Sequence, residues 1–525
     1  MQTEHKTPAS LETLTALCKR RGFIFQSSEI YNGINGFWDF GPLGTELKNN
    51  LRDAWWHDMV RNPPLGPDSE MLDIVGVDSA IIQNPKVWQA SGHLGGFNDP
   101  MADCRETKAR YRADHLFVYV PASGEGDAFA FLEGEPAVAE KRIKKQAKSD
   151  PSAYKVVPFN ELDVELIPSV WGPDATEAGT LTEPREFNLM FKTFIGALSG
   201  EGEESTAYLR PETAQGIFTN YKNVLDTMRV KLPFGIAQVG KSFRNEVTPR
   251  NFIFRSREFE QMEMEWFCHP DDATKWYNFW VEARLQWWAS LGVDMRNLRR
   301  RDHDEDELAH YSTACADVEY QYGFTAPGFG ELEGIAHRGN FDLTQHQEAS
   351  GIKLDYFDPE TNERVIPHVI EPASGLTRGV LVLLNEAYTE EFIPKGDTPG
   401  GVLLAEPGSA RAPEGYEKRV VLKFAPRLAP MKVAIFPLLK NRKELTDKAK
   451  ELYADLRKTW PCFYDQAGAI GRRYRRQDEI GTPFCVTVDF DTLEDDTVTI
   501  RDRDSMEQQR MPISEVRAWL HPKLV

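Results

Sequence analysis

Apolar residues recur along this chain with two periods, and the change of period marks its organisation. Leu11, Leu14 and Leu17 predict a short amphipathic helix, and Leu43, Leu47, Leu51, Trp55 and Met59 then return at every fourth position. Such spacing keeps one side of a helix apolar from end to end. Trp276, Phe279, Trp280, Ala283 and Trp287 predict another core-facing helix from Asp272 to Leu291, closed by Gly292. Between these helices, from Phe234 to Phe267, the period drops to two. The stretch reads as two long strands around a polar turn at 247–253, where Thr248-Pro249 interrupts the pattern.

Side chains alternate faces along a strand. The first strand is therefore predicted to gather Ser242, Arg244 and Glu246, and the second Arg255, Arg257, Phe259, Gln261 and Glu263. Met262, Met264 and Trp266 turn the other way. Solvated strands are often charged, but three arginines, a ring and carboxylates interleaved on one face suit a phosphorylated ligand that carries a base. Guanidinium groups bind phosphate through paired donors, and a neighbouring ring stacks on a base.

The remaining pattern supplies a frame. Ala207–Arg210 reads as a short strand and Pro211-Glu212-Thr213 as a helix start, with proline tolerated in the first turn. Glu331 to Arg338 reads as a strand after a Gly-rich turn, with Glu331 and Glu333 on one face. Pro367–Ile370 is a buried strand leading to Glu371-Pro372-Ala373-Ser374-Gly375, where small residues allow close backbone approach. The helix from Leu376 carries Arg378 in its first turn, beside NH groups that are themselves an anion site. Residues 121–205 are rich in Gly, Glu and Lys and read as a mobile inserted lobe. A Pro- and Gly-rich linker at 394–430 precedes an alternating α/β unit from Met431 onward.

Composition narrows the class. The 525 residues are 27% charged and 41% hydrophobic, ordinary for a globular protein, and allow two to four domains. No apolar run reaches about 18 residues and the N-terminus lacks a signal-like segment, so a cytoplasmic protein with no membrane contact is expected. The six cysteines include no CxxC pair, which argues against a disulfide framework or a cysteine-paired zinc site. His303, Asp304 and His310 are loosely spaced and predict a solvated face. The formal charge of −19 opposes a nucleic-acid partner overall, although KRIKKQAK at 141–148 and GRRYRR at 471–476 are local basic excesses.

GKSFRNE followed by FRSREFEQME resembles motif 2 of the class II aminoacyl-tRNA synthetases, and specifically of the dimeric glycyl-tRNA synthetases. EPASGLTRGVLVLL at 371–384 resembles motif 3, and RPETAQGIF at 210–218 precedes both. The similarity covers most of the chain. It implies an α/β (α+β) fold, with an antiparallel sheet flanked by helices, an inserted lobe and a C-terminal α/β anticodon-binding domain. The implied limits are 1–120 for the first catalytic part, 121–205 for the insert, 206–428 for the core with motifs 2 and 3, and 429–525 for the anticodon-binding domain. The Leu43 helix and the segment to Val77 look like motif 1, which implies a homodimer.

The resemblance also implies partners and roles: glycine, ATP, Mg2+ and tRNA(Gly). Arg244, Glu246 and Arg378 would be catalytic, with Arg244 on the α-phosphate and substrate carboxylate and Arg378 on the γ-phosphate and one adenine face. ATP would further meet Asn245, Phe254, Arg255, Ser256, Arg257, Glu258, Phe259, Glu331, Leu332, Gly375, Leu376 and Thr377. Phe259 would stack on adenine, Glu246 read its amino group, and Glu331 hold the metal. Glycine would meet Arg112, Glu212, Phe259, Glu260, Gln261, Met262, Glu263, Arg338, Glu371, Pro372, Ala373, Ser374 and Gly375. Related enzymes place serine directly after Glu-Pro, whereas this chain has Ala373 and then Ser374.

Two other readings share part of the pattern. A threonyl or prolyl enzyme would carry the same C-terminal domain, but three acidic residues and no evident side-chain pocket disfavour it. A non-catalytic nucleic-acid-binding relative would have lost Arg244, Glu246, Phe259 and Arg378, and all four are present.

Overall fold

The structure, a computed structural model, describes residues 8–196, 205–309, 312–325, 328–359, 361–396, 398–406, 408–409 and 411–524. It divides into two units, one of residues 1–80, 212–242 and 251–525, the other of 81–211 and 243–250.

A seven-stranded sheet forms the centre of the first unit. Asp73–Gly76 lies at one edge, parallel to Phe234–Phe243. Glu258–Cys268, His368–Gly375, Phe329–Gly339, Ala314–Gln321 and Leu298–Asp302 follow in that order. The last five are antiparallel to their neighbours in turn. The predicted strand pair is present but shorter than its period suggested. The first strand stops at Phe243 and the second starts at Glu258. Arg244, Glu246, Arg255 and Arg257 therefore sit in connecting chain, and the predicted alternation does not extend to them.

One face of the sheet is apolar because Met262, Met264 and Trp266 turn into it. Helices Pro42–Trp56, Ala273–Ser290 and Leu376–Ala387 bury their stripes there, and Trp266 meets Trp276 and Trp280 at 4.7 and 5.4 Å. A charged pair lies inside this apolar layer. Arg284 Nε donates to Glu333 at 2.6 Å and Trp288 Nε1 does the same at 2.6 Å. On the opposite face, helix Ala214–Met228 covers one end through Phe218 and Tyr221, which pack on Phe234 and Phe267.

The Leu376 helix approaches the Leu43 helix closely at Gly379, where an added Cβ would lie 2.9 Å from Leu51 and 2.9 Å from the Trp288 ring. Overpacking costs about 1–3 kcal/mol, more than the roughly 1 kcal/mol that leaving glycine returns in helix propensity. Gly379→Val is therefore expected to lower the urea midpoint; an unchanged or raised midpoint would contradict this packing.

The C-terminal part carries a five-stranded sheet. Val433–Pro437 lies between parallel Cys462–Tyr464 and Phe484–Val488, and antiparallel Thr497–Asp502 and Gln508–Pro512 complete it. The predicted linker is only partly a linker: Tyr388–Pro394 pairs with Leu403–Ala405 and Tyr416–Leu422. From that sheet, buried Arg419 donates to Asp478 at 2.9 Å and to Glu391 at 2.8 Å. Asp478 also receives Arg501, and Arg419 and Arg501 outweigh its burial, which acts to raise it, so its pKa is held low. The basic run 471–476 is largely committed to structure, with Arg473 buried, Arg475 on Glu417 and Arg476 on Asp465.

The second unit has a three-stranded sheet of Arg185–Asn188, Asn98–Asp103 and Arg110–Arg112. A four-stranded sheet, Tyr154–Pro158, Leu116–Pro121, Ala128–Leu132 and Val170–Trp171, stands beside helix Pro136–Arg142. Pro121, the predicted start of the insert, is the last residue of one of these strands. Part of that insert, 197–204, and His310 of the loose metal grouping lie outside the described residues.

Candidate active site

In the first unit the face opposite the tryptophans is acidic. Gln261 and Glu263 project there, and the residues beside Glu263 on the next two strands, Ala373 and Gly334, are small. Glu263 is held by protein donors. Gln261 Nε2 donates to one oxygen at 2.7 Å, and Thr213 donates its NH at 3.0 Å and its hydroxyl to the other. Ser242 fixes Gln261 in turn at 2.7 Å. Glu263, one of the glutamates predicted around an ammonium, thus has both oxygens engaged by protein donors.

Glu371 lies across from Ala336 and accepts from Arg338 at 2.5 Å. Arg338 also grips Asp342 through two bonds of 2.8 and 2.9 Å. Glu212, at the start of the Ala214 helix, accepts from Gln215 at 3.0 Å. Burial, with Glu263, Glu212 and Asp342 nearby, pushes the Glu371 carboxyl up to about 8 against the pull of Arg338. Its side chain is still 13% exposed. A cluster with this charge balance favours an incoming cation.

Arg378 stands in the first turn of the Leu376 helix. It donates to the Glu331 carbonyl at 2.9 Å, pairs with the Glu331 carboxylate at 3.2 Å, and lies 4.5 Å from the centre of the Phe254 ring. Burial acts against its charge, but Glu331 outweighs it and the pKa is raised. The Arg378 side chain keeps 24% exposure and that of Glu331 52%, so both can be reached by a ligand. Phe254 is braced by Tyr322 and Phe324, and Phe259 is half-buried.

Other predicted contacts are placed elsewhere. Met262, Ser374 and Glu333 form one row across the sheet and face the tryptophan core, as do Leu332 and Leu376. Pro372, opposite Ile335, is buried with them. Ser374 therefore does not replace the displaced serine, because the strand alternation turns Ala373, not Ser374, toward Glu263. Glu260 pairs with Lys48 and its NH donates to Thr377 at 3.0 Å, while Glu258 pairs with Lys241. Arg257 donates to the Asn35 carbonyl at 2.9 Å, and buried Ser256 to the Glu258 carbonyl at 3.1 Å. Arg255 is half-buried just after the 252–254 turn, and Gly375 caps the Leu376 helix.

Glu265 was missed. It is the next residue on the face of Gln261 and Glu263, wholly buried, and neither oxygen has a hydrogen-bond partner among the described residues. Burial, then Glu371, drives its pKa well up. Extending the alternation by one step would have found it.

The second unit holds Arg112, Arg244, Asn245 and Glu246. Arg112 pairs with Asp99 at 3.1 Å and Asp114 at 2.6 Å. Arg244 donates to the Pro211 carbonyl at 3.2 Å and lies 5.4 Å from the Phe97 ring centre. The Asn245 NH donates to the Leu189 carbonyl at 2.8 Å, and Glu246 is 7% exposed.

A largely antiparallel sheet with one acidic face, an arginine in the first turn of the helix that follows its central strand His368–Gly375, and an appended α/β domain are the features of a class II aminoacyl-tRNA synthetase. Residues 197–387 match the family model described as tRNA synthetase class II core domain (G, H, P, S and T), and 432–522 match the anticodon binding domain. The chain is 49% identical to the glycine–tRNA ligase of Rhodopirellula baltica over 98% of its own length and 99% of that protein. It is 46% identical to that of Nocardia farcinica over the whole of both chains, and 47% identical to that of Lysinibacillus sphaericus over 98% and 99%. The chain belongs to the glycine–tRNA ligase family. No helix among the described residues is long and apolar enough to cross a membrane.

Proposed function

We infer that the chain activates glycine with ATP and transfers the glycyl group to the 3′ end of tRNA(Gly), in the cytoplasm and as a homodimer. The observation that carries this reading is the acidic cluster of Glu371 and Asp342 about Arg338, with Arg378 on the helix that follows the strand of Glu371. In the first step a glycine carboxylate oxygen attacks the α-phosphorus of ATP and pyrophosphate leaves. In the second, a terminal ribose hydroxyl of tRNA attacks the carbonyl carbon and AMP leaves. Neither nucleophile is a side chain, so the protein acts by alignment and charge stabilisation.

Arg244 is assigned to the α-phosphate and the glycine carboxylate, Glu246 to the adenine amino group, and Phe259 to the adenine ring. Arg378, with Arg255 and Arg257, is assigned to the distal phosphates and Arg112 to the amino acid. Glu331 is assigned to Mg2+: a half-exposed carboxylate beside a phosphate-binding arginine suits a cation that keeps water and phosphate oxygens as its other ligands. When bound, the ion would neutralise phosphate charge. Glu212 and Glu371 are assigned to the ammonium, with Glu263 bracing them. The first 80 residues leave Ile30, Tyr31, Leu65 and Met71 between 60% and 89% exposed, which supports a second copy covering them. Lys141, Lys144, Lys145 and Lys148 are exposed and support phosphate contact by the second unit.

The test is ATP–pyrophosphate exchange with each of the twenty amino acids. Glycine alone should support it; equal exchange with threonine or proline would overturn the reading. A pH dependence also follows. With Glu371 raised to about 8, binding an ammonium releases a proton, because the cation favours the ionised carboxylate. KM for glycine is expected to fall as pH rises from about 6 to about 8, and Glu371→Gln should flatten that profile.

A further inference from the structure

We propose that His303, Cys315 and Asp317 form a binding site for a divalent ion of the zinc type, separate from the Mg2+ assigned to Glu331. Cys315 and Asp317 lie on the strand Ala314–Gln321, and His303 directly follows its neighbour Leu298–Asp302 and continues the pairing. Asp302 pairs with Ala316 and Arg301 with Asp317, and the His303 NH donates to the Cys315 carbonyl at 2.9 Å. His303 thus stands directly across from Cys315, with Asp317 two residues further along the same face.

Their ligating atoms all lie within 4.8 Å of one another, and His303 Nε2 is 2.8 Å from Asp317. Bonds of about 2.0–2.3 Å in a tetrahedron separate ligands by roughly 3.5 Å, so small side-chain rotations close the set. The next strand offers Ala336 opposite Cys315 and Gly334 opposite Asp317, so that strand places no bulky side chain against the position. A Cβ at Gly334 would meet only Asp317 at 3.8 Å and Glu331 at 4.0 Å. His303 is 20% exposed, which leaves an entrance and a fourth position for water.

Donor chemistry sets the class. Imidazole, thiolate and carboxylate together select zinc or cobalt, whereas magnesium and calcium take oxygen ligands. Without metal the cluster is a His–Asp pair with Arg301 4.0 Å from the same carboxylate. Arg301 is drawn off by Glu307 at 2.5 Å, and Glu331 adds negative charge beside Asp317. The site is invisible to cysteine counting because each ligand stands alone in sequence.

Titration of the chelator-stripped full chain with Co2+ tests this. One equivalent should produce tetrahedral visible absorption and a near-ultraviolet thiolate-to-cobalt band, and Zn2+ should abolish both. Cys315→Ser should remove the near-ultraviolet band, and His303→Ala should weaken Co2+ affinity at least about ten-fold. His303 lies outside the strands, so that variant remains informative if Cys315→Ser proves unstable by circular dichroism. Absence of the band in the parent chain, or its persistence in folded Cys315→Ser, would overturn the proposal. The readout does not depend on aminoacylation, so failure of the proposed function would leave it unmoved.

Discussion

Arg378→Ala is expected to lower ATP–pyrophosphate exchange by about 10²-fold or more while the unfolding midpoint stays near that of the parent chain. Removing one donor that faces charge developing in a transition state costs about 2.7–4 kcal/mol, hence the size of the loss. The structural cost is smaller. Arg378 bonds to the Glu331 carbonyl and carboxylate and to the Phe254 carbonyl, and it is 24% exposed. Glu331 is 52% exposed, so water can solvate it once its partner is gone. Arg378→Lys should recover only part of the rate, because a point charge does not reproduce the planar fork that lies over Phe254. Exchange within about two-fold of the parent for the alanine variant would remove Arg378 from the reaction.

The sequence was legible where a periodic pattern coincided with burial. The stripe from Leu43 to Met59 and the tryptophans from 276 to 287 are buried as their spacing requires. Met262, Met264 and Trp266 form the core face of the central strand. Reading failed at strand ends, because period two says which face a residue takes but not where pairing stops. The chain leaves the sheet after Phe243, and Phe252 to Phe254 form a tight turn, so the predicted arginine face lost four members. Ser374 shows the opposite failure. Its strand continues to Gly375, beyond the predicted end at Ile370, and regular alternation turns it into the core. The GRRYRR run looked available because charge counting ignores partners that folding brings from Glu417, Asp465 and Asp478. Glu265 was passed over because a single carboxylate between Met264 and Trp266 carries no local sign of its company.

Arg338→Gln is expected to destabilise the chain by about 3–5 kcal/mol at neutral pH and to raise KM for glycine. Arg338 is 2% exposed, holds Asp342 by two bonds and Glu371 by a third, and lies 5.4 Å from the Phe218 ring centre. Glutamine supplies similar bulk without charge, leaving carboxyl groups in an enclosed place with no compensating cation. Glu371 and Glu265 already have raised pKa values, and Arg338 is the influence opposing that rise in both. Its loss lifts them further. A carboxyl whose folded pKa exceeds its unfolded value adds stability below the unfolded value, and that stability disappears as pH climbs through the folded value. The variant's deficit should therefore stay nearly level from about pH 5 to about 7, where both proteins hold Glu371 neutral, and grow as pH climbs through about 8, where the parent's Glu371 ionises against Arg338 while the variant's stays protonated. Urea midpoints from about pH 5 to about 9.5 measure it. A deficit of constant size would mean that Arg338 acts by shape alone, and the cluster would lose its claim to be an electrostatic site for an ammonium.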